Sequence, residues 1–399
     1  MHPWLLATVL GWPLACAPEG DARVQDVVWL SHREVTDVQV GPDGTVWVIG
    51  STTADEGHTG VSFGQTTFRP WLAIIDRAEG LVEQEVGFLG RGRSIAVGAQ
   101  GTAYALVDNS SYSGQCELSA RDGDGAPRWA TPWPGPDCPA WLLAAPEGVL
   151  GIFGDRIEAL DDAGEPRWSL ALEGATSRAH AWVDSHAHVL WIGSRSHGAD
   201  GTPDRMWRVD TGDGRATHRD LGVDRWGSEL ARLRGQPSVA VELADPGAEW
   251  DPWQWPLRVV RHYDAHGRVL DTHSLPGLTG DGSERTQFQP VGAAVTDHGW
   301  LLAGTTSRRR DDGDRPDERL WLRTSSDISG VRDVELSFED PDDLDDDATA
   351  CTYSDVGPFH VVGTSVAVAR DVGGALLVVG RQHCRHTWIG WVGIGGVAP

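Results

Sequence analysis

Apolar residues in this chain arrive in short bursts separated by turns. Residues 41–52 read GPDGTVWVIGST: a tight turn, an apolar run, then a glycine. Near-copies follow at 98–110 (GAQGTAYALVDNS), 145–155 (APEGVLGIFGD), 184–196 (DSHAHVLWIGSRS), 234–246 (RGQPSVAVELADP), 296–307 (TDHGWLLAGTTS) and 371–382 (DVGGALLVVGRQ). An apolar segment precedes each turn, so the unit is strand–turn–strand. No stretch sustains the 3.6-residue apolar period of a long amphipathic helix.

A second motif follows each copy: a strand that ends in an Asp- or Gly-rich turn. Examples are WLAIIDRAEG (71–80), CELSARDGDG (116–125), RIEALDDAG (156–164), MWRVDTGDG (206–214) and TWIGWVGIGG (387–396). After six of the seven comes a further extended stretch, such as EPRWSLAL. Each repeat therefore predicts four strands, A to D, joined as a meander. One such sheet cannot cover both of its faces, and a neighbour must do so. The pattern predicts an all-β fold: a seven-bladed β-propeller with four-stranded blades. The seventh repeat reaches only its third strand. VVWLS (27–31) has no blade of its own. This N-terminal strand is predicted to complete the last blade against residues 387–394, closing the ring and removing two open sheet edges. The expected division is a lipoprotein-type signal peptide at 1–15, a short tether at 16–25 and the propeller at 26–399.

On the PDG-apolar-Gly phrase at 42–50, the chain resembles bacterial β-propeller repeat proteins of the SBBP kind. RIEALDDAGEPRW (156–168) is similar to a quinoprotein-type propeller repeat, with Trp168 after the turn. The resemblance implies a propeller and a cell-surface role, and no activity. It also frames an alternative function: a periplasmic or surface enzyme, either a quinoprotein-like oxidoreductase or a hydrolase or lyase, with its site in the central funnel. Such a site would draw carboxylates or histidines from the starts of the A strands, where His180 and Asp184 are candidates by position. The sequence has no Gly-x-Ser-x-Gly elbow, no His-Glu-x-x-His and no phosphate loop, and no catalytic residue is assigned.

Composition narrows the partners. The chain has 33 basic and 58 acidic residues, for a net charge of −25. Every basic residue is Arg and Asn occurs only at Asn109, a bias that fits a GC-rich bacterial genome. A charge of this sign repels nucleic acid and anionic lipid, so no nucleic-acid partner is expected. The chain opens MHPWLLATVLGWPLACAPEG. Its apolar run at 4–14 is too short to span a bilayer and fits the core of a secretory signal. Leu14-Ala15-Cys16 resembles the lipobox of bacterial lipoproteins, which implies lipidation at Cys16. The expectation is an exported monomer held in the bacterial cell envelope by a lipid anchor, or else secreted. Its partner would be a protein or glycan of the envelope, and the anchor its only membrane contact.

A meander places the A–B and C–D turns on one face and the B–C and D–A loops on the other. The turns, as at 42–44 and 161–164, are short. The B–C loops at 51–70, 194–205, 244–256 and 305–319 are long, as are the D–A loops at 131–139, 222–228, 271–290 and 337–361. Binding is expected on this long-loop face, because loops on a rigid scaffold carry function. Cys116, Cys138, Cys351 and Cys384 all map to it in adjacent pairs. Two disulfides are predicted, Cys116–Cys138 and Cys351–Cys384.

Twenty Trp is a large excess. Trp47, Trp71, Trp129, Trp168, Trp191, Trp207 and Trp321 fall on repeat positions and predict packing between blades. Trp133, Trp226, Trp250, Trp253 and Trp255 fall in loops of the long-loop face. They are ligand-binding candidates that could stack on sugar rings or anchor a peptide. The alternative is that they fold back and cap the core. EDPDDLDDDAT (339–349) spaces Asp343, Asp345 and Asp347 like a Ca²⁺ loop. It lacks the turn glycine and the closing Glu, so a solvated acidic loop is the competing reading. No cofactor is expected beyond that Ca²⁺ option. His383, Cys384 and His386 could hold zinc, but the disulfide to Cys351 competes for the same sulfur.

Overall fold

The computed structural model describes residues 23–31, 33–53, 68–76, 80–85, 90–109, 115–172, 180–184, 188–194, 204–222, 239–243, 258–263, 269–274, 284–296, 299–310, 317–326, 330–335, 368–370, 376–381 and 386–393. Among them all regular structure is β. The chain begins with β1 (Arg23–Ser31). A first sheet follows from β2 (Arg33–Val40), β3 (Val46–Thr53), β4 (Phe68–Asp76) and β5 (Gly80–Glu85). The second holds β6 (Arg91–Val97), β7 (Ala103–Asp108), β8 (Cys116–Arg121) and β9 (Pro127–Pro132). The third holds β10 (Trp141–Ala145), β11 (Gly148–Ile152), β12 (Arg156–Leu160) and β13 (Pro166–Ala171). The fourth holds β14 (His180–Asp184), β15 (Val189–Ser194), β16 (Asp204–Asp210) and β17 (Ala216–Gly222). The fifth shows three strands, β18 (Val239–Leu243), β19 (Arg258–Tyr263) and β20 (Val269–Ser274). The sixth is β21 (Glu284–Thr296), β22 (Gly299–Arg310), β23 (Asp317–Ser326) and β24 (Gly330–Glu335). The last contains β25 (Val368–Arg370), β26 (Leu376–Arg381) and β27 (His386–Gly393), with β1 beside β27.

Each of these sheets is an antiparallel meander. β1 runs against β27 with Arg23 opposite Gly393 and Ser31 opposite His386. Neighbouring sheets meet mainly through their first strands: β2 with β6, β6 with β10, β10 with β14, β21 with β25, and β25 with β2. Short turns at 41–45, 98–102, 122–126 and 161–165 close the same end of their sheets. The loops after second and fourth strands leave from the opposite end.

In the second and third sheets burial falls from the inner strands to the outermost one. All five residues of β11 are buried, as expected of an apolar run covered on both faces. The outermost strands β9 and β13 alternate between exposed and half-buried positions. The core is a series of layers between sheets. Trp47, Ile49 and Leu72 of the first sheet pack on Ile95, Ala105 and Val107 of the second. Leu106 and Leu118 of the second meet Leu142, Val149 and Leu160 of the third. Leu150, Ile152 and Ile157 then meet Leu190, Ile192 and Val209 of the fourth. Adjacent residues Val149 and Leu150 thus enter different layers, as period-2 side chains must. Trp47, Trp71 and Trp207 are buried in the packing role their repeat positions predict.

Near the centre, polar groups join three first strands. A bulge between Val35 and Asp37 in β2 is matched by one between Gly92 and Ser94 in β6. Asp37 Oδ2 accepts from the Ser94 hydroxyl at 2.7 Å and from the Ile95 N–H at 3.1 Å. The Leu142 N–H of β10 donates to Ser94 Oγ at 3.0 Å. Both side chains are buried, and the hydrogen bonds offset the desolvation that burial costs.

At the rim, tryptophan latches tie one sheet to the next. Pro-Arg-Trp follows the last turn of both the second and third sheets, at 127–129 and 166–168. Trp129 Nε1 donates to the Asp162 carbonyl of the third sheet at 2.7 Å, and Trp168 Nε1 donates to the Thr211 carbonyl of the fourth at 3.0 Å. Each indole lies over the glycine of the turn it reaches. Gly164 has φ +83°, and a Cβ there would sit 3.0 Å from Trp129. A Cβ at Gly214 would sit 2.8 Å from Trp168. Tyr104 donates to Asp162 Oδ1 at 2.6 Å. Burial and the Asp162 carboxylate hold its phenol well above the ordinary range. In the fourth sheet His218 stands in the register of these tryptophans and packs on Trp207 of its own sheet, 4.6 Å between ring centroids.

Removing a latch should loosen two sheets at once. Gly164→Ala should destabilise by ~1–3 kcal/mol, from left-handed strain and the Trp129 contact. Trp129→Phe should cost about 1 kcal/mol for the lost hydrogen bond. Urea unfolding midpoints check both, and an unchanged midpoint for Gly164→Ala would contradict the latch.

Candidate functional site

At the long-loop end the described residues include connections of the second and third sheets. Cys116 opens β8, and Cys138 lies between β9 and β10. They form a disulfide with Cα atoms 5.5 Å apart, spanning 22 residues of sequence. The Trp133 N–H donates to the Cys116 carbonyl at 2.8 Å, and the Ala140 N–H to the Ile152 carbonyl at 2.7 Å. The connection from β9 to β10 is therefore pinned at both ends and cross-linked between them.

Trp133 sits under this connection and is only 2% exposed. Its ring presses on Gly151, where a Cβ would come within 2.3 Å of it, and meets Phe153 edge-on at 6.1 Å. Its Nε1 donates to Glu158 Oε2 at 2.8 Å. Trp133 therefore caps the core, the alternative that the sequence left open for it, and neither indole face nor its N–H is left for a ligand. Glu158 Oε1 in turn accepts from Arg156 Nε at 2.8 Å. Arg156 lies 3.8 Å over the Phe153 ring and reaches Asp137 at 3.3 Å and Asp155 at 3.4 Å. Burial works against its charge, and these carboxylates outweigh that, so its pKa is raised.

Closer to the first strands, Arg93 pairs with Asp108 Oδ2 at 2.6 Å and reaches the Ala140 carbonyl at 3.5 Å. Arg93 is the extra residue of the β6 bulge, which turns it away from the ladder. Asp108 Oδ1 lies 3.7 Å from Cys138 Sγ. Ligand atoms of Asp108, Cys116 and Cys138 fall within 4.8 Å of one another. Both sulfurs are bonded to each other and Asp108 holds Arg93, so the group is a structural joint rather than a metal cage.

The remaining candidates divide simply. Cys16, Trp226, Trp250, Trp253, Trp255, Asp343, Asp345, Asp347, Cys351, His383 and Cys384 lie outside the described residues. His180 and Asp184 are the first and last residues of β14 and stand at opposite ends of one strand. Other features had no sequence expectation. His188 adopts a left-handed φ of +52° in the turn between β14 and β15, where the first three sheets carry Gly44, Gly101 and Gly148 at positive φ. Its Nδ1 contacts Glu147 of the corresponding turn in the third sheet. The arginine–carboxylate network of Arg156 was also unforeseen; its residues are scattered over 137–158 and carry no motif.

No family model matches the chain, and no curated protein matches it. Among solved structures, it is similar to the β-propeller domain of the Trilobed protease from Pyrococcus furiosus, which has an open velcro topology. That likeness has a TM-score of 0.51 at 7% identity, covering 91% of this chain and 94% of the other. The Pan2 WD40 domain of Neurospora crassa gives a TM-score of 0.48 at 9% identity, covering 91% of this chain and 95% of that one. Kuenenia stuttgartiensis hydrazine synthase gives 0.35 at 13% identity, covering 86% and 73%. Together with the repeated four-stranded sheets, the first likeness establishes a β-propeller fold; it says nothing of activity.

Trp133→Ala should cost ~3–5 kcal/mol in stability. The Cys116→Ser/Cys138→Ser pair should cost about 3 kcal/mol. Urea unfolding measures both. Peptide mapping that joins Cys116 to Cys384 would contradict the placement of these loops.

Proposed function

We propose that the chain is an exported propeller of seven blades in one closed ring, held at the bacterial envelope through Cys16, that binds an envelope protein or glycan through its long-loop face. The seven sheets among the described residues support the blade count, and the β1–β27 pairing supports closure. The observation that carries the functional reading is the contrast between the two ends of the sheets. One end is closed by tight turns whose Asp side chains cap their own backbone: Asp161 Oδ1 accepts from the Ala163 and Glu165 N–H groups at 2.9 Å each. Such turns have little left to offer a partner. The other end carries the long connections, and the one described in full is cross-linked and internally hydrogen-bonded, a preorganised platform. The four tryptophans at 226, 250, 253 and 255 supply the aromatic anchors of this reading, and the acidic loop with Asp343, Asp345 and Asp347 supplies a weaker Ca²⁺ option.

A thermal-melt panel with Ca²⁺, EDTA, envelope glycans and a quinone cofactor tests it. A glycan present at about 100 times its Kd should add about 2.7 kcal/mol to the stability of the folded state. That gain should vanish in Trp250→Ala/Trp253→Ala/Trp255→Ala and persist in Asp124→Asn, which lies on the short-turn end. A shift with the quinone alone would favour the funnel enzyme, and a flat panel would move the search to protein partners.

A further inference from the structure

We infer that the short-turn face of the propeller faces the membrane and that the long-loop face is turned away from it. This rests on the reading that Cys16 is the anchor. The argument comes from the direction of β1. Leu376 pairs with Val392 at the end of the last sheet where β26 begins, the end closed by short turns in the other sheets. Arg23 pairs with Gly393 at that same end, while Ser31 pairs with His386 at the long-loop end. The chain therefore enters the propeller at its short-turn face and climbs toward the long loops.

Length decides the orientation. Residues 17–22 separate Cys16 from Arg23. At about 3.5 Å per residue, Cys16 reaches at most about 25 Å from the start of β1. A nine-residue strand such as β1 is itself about 30 Å long. With the long-loop face down, the tether would have to run back along nearly the whole of β1, leaving nothing to reach the headgroups. With the short-turn face down, the full tether is available.

Charge sets the distance. The short-turn face exposes Asp43, Asp122, Asp124, Asp162, Asp210 and Asp213. Arg128 offsets Asp122 at 3.5 Å, and Arg215 offsets Asp213 at 2.8 Å. The remaining acid repels anionic headgroups within a Debye length of about 8 Å. The disc stands off on its tether instead of resting on the bilayer, and its binding face points toward the partners of the Proposed function.

The test uses the full exported chain in phosphatidylcholine/phosphatidylglycerol vesicles carrying a fluorescent acceptor on a headgroup. Asp124→Cys places a donor dye in a short turn, and Asp155→Cys places one in a B–C loop; both positions are exposed. Energy transfer should be at least twofold stronger from position 124, with Cys16→Ser no longer floating with the vesicles. A floating protein with equal or stronger transfer from position 155 would overturn the orientation and leave the anchor intact. A wild-type chain that does not float would overturn the anchor reading, and this inference with it.

Discussion

The second and third sheets are apolar on both faces, and neither can bury both by itself. β11 shows the constraint in miniature. Val149 enters the layer shared with the second sheet, while Leu150 and Ile152 enter the layer shared with the fourth. Each blade is stable only between two others, so stability is a property of the series. The same demand makes the ends of the series costly, because a terminal sheet would leave one apolar face and one strand edge in water. The pairing of β1 with β27 answers the edge problem in the proposed ring.

Around that constraint the chain uses different chemistry at different radii. At the centre, Asp37 and Ser94 satisfy backbone donors across three first strands, so adjacent blades are held in register where they approach most closely. At the rim, Trp129 and Trp168 reach across to turn carbonyls of the next blade. The latches draw on the short-turn end, which they rigidify. The disulfide and the Trp133–Glu158–Arg156 chain do the same for one connection at the other end. The second and third sheets are thus braced at both of their ends.

Much of the architecture was legible because it is local. A turn glycine followed by a period-2 apolar run reports itself within ten residues, and the repeated phrases carry the strand order of each sheet. The pairing of Cys116 with Cys138 followed from the same layout. The sequence leaves the choice between binding and capping open for Trp133, because its partners, Gly151, Phe153 and Glu158, come from the next repeat and have no spacing rule linking them to it. Asp37 and Ser94 carry no sequence signal for a related reason: each follows a bulge, and a bulge adds one residue without changing composition. His188 replaces a turn glycine and reaches Glu147 of another repeat, which no single-repeat pattern encodes. Local periodicity gives the blade; contacts between blades depend on register and stay hidden.

The most direct test of the account is a cross-link between β1 and β27. Leu30 stands opposite Thr387 in the pairing. The double variant Leu30→Cys/Thr387→Cys should form a disulfide under mild oxidation, identified by a linked peptide in mass spectrometry. Because it would close a loop of several hundred residues, it should also raise the unfolding free energy, by up to about 5 kcal/mol. Free thiols at both positions in a folded protein would contradict closure of the ring by its N-terminal strand.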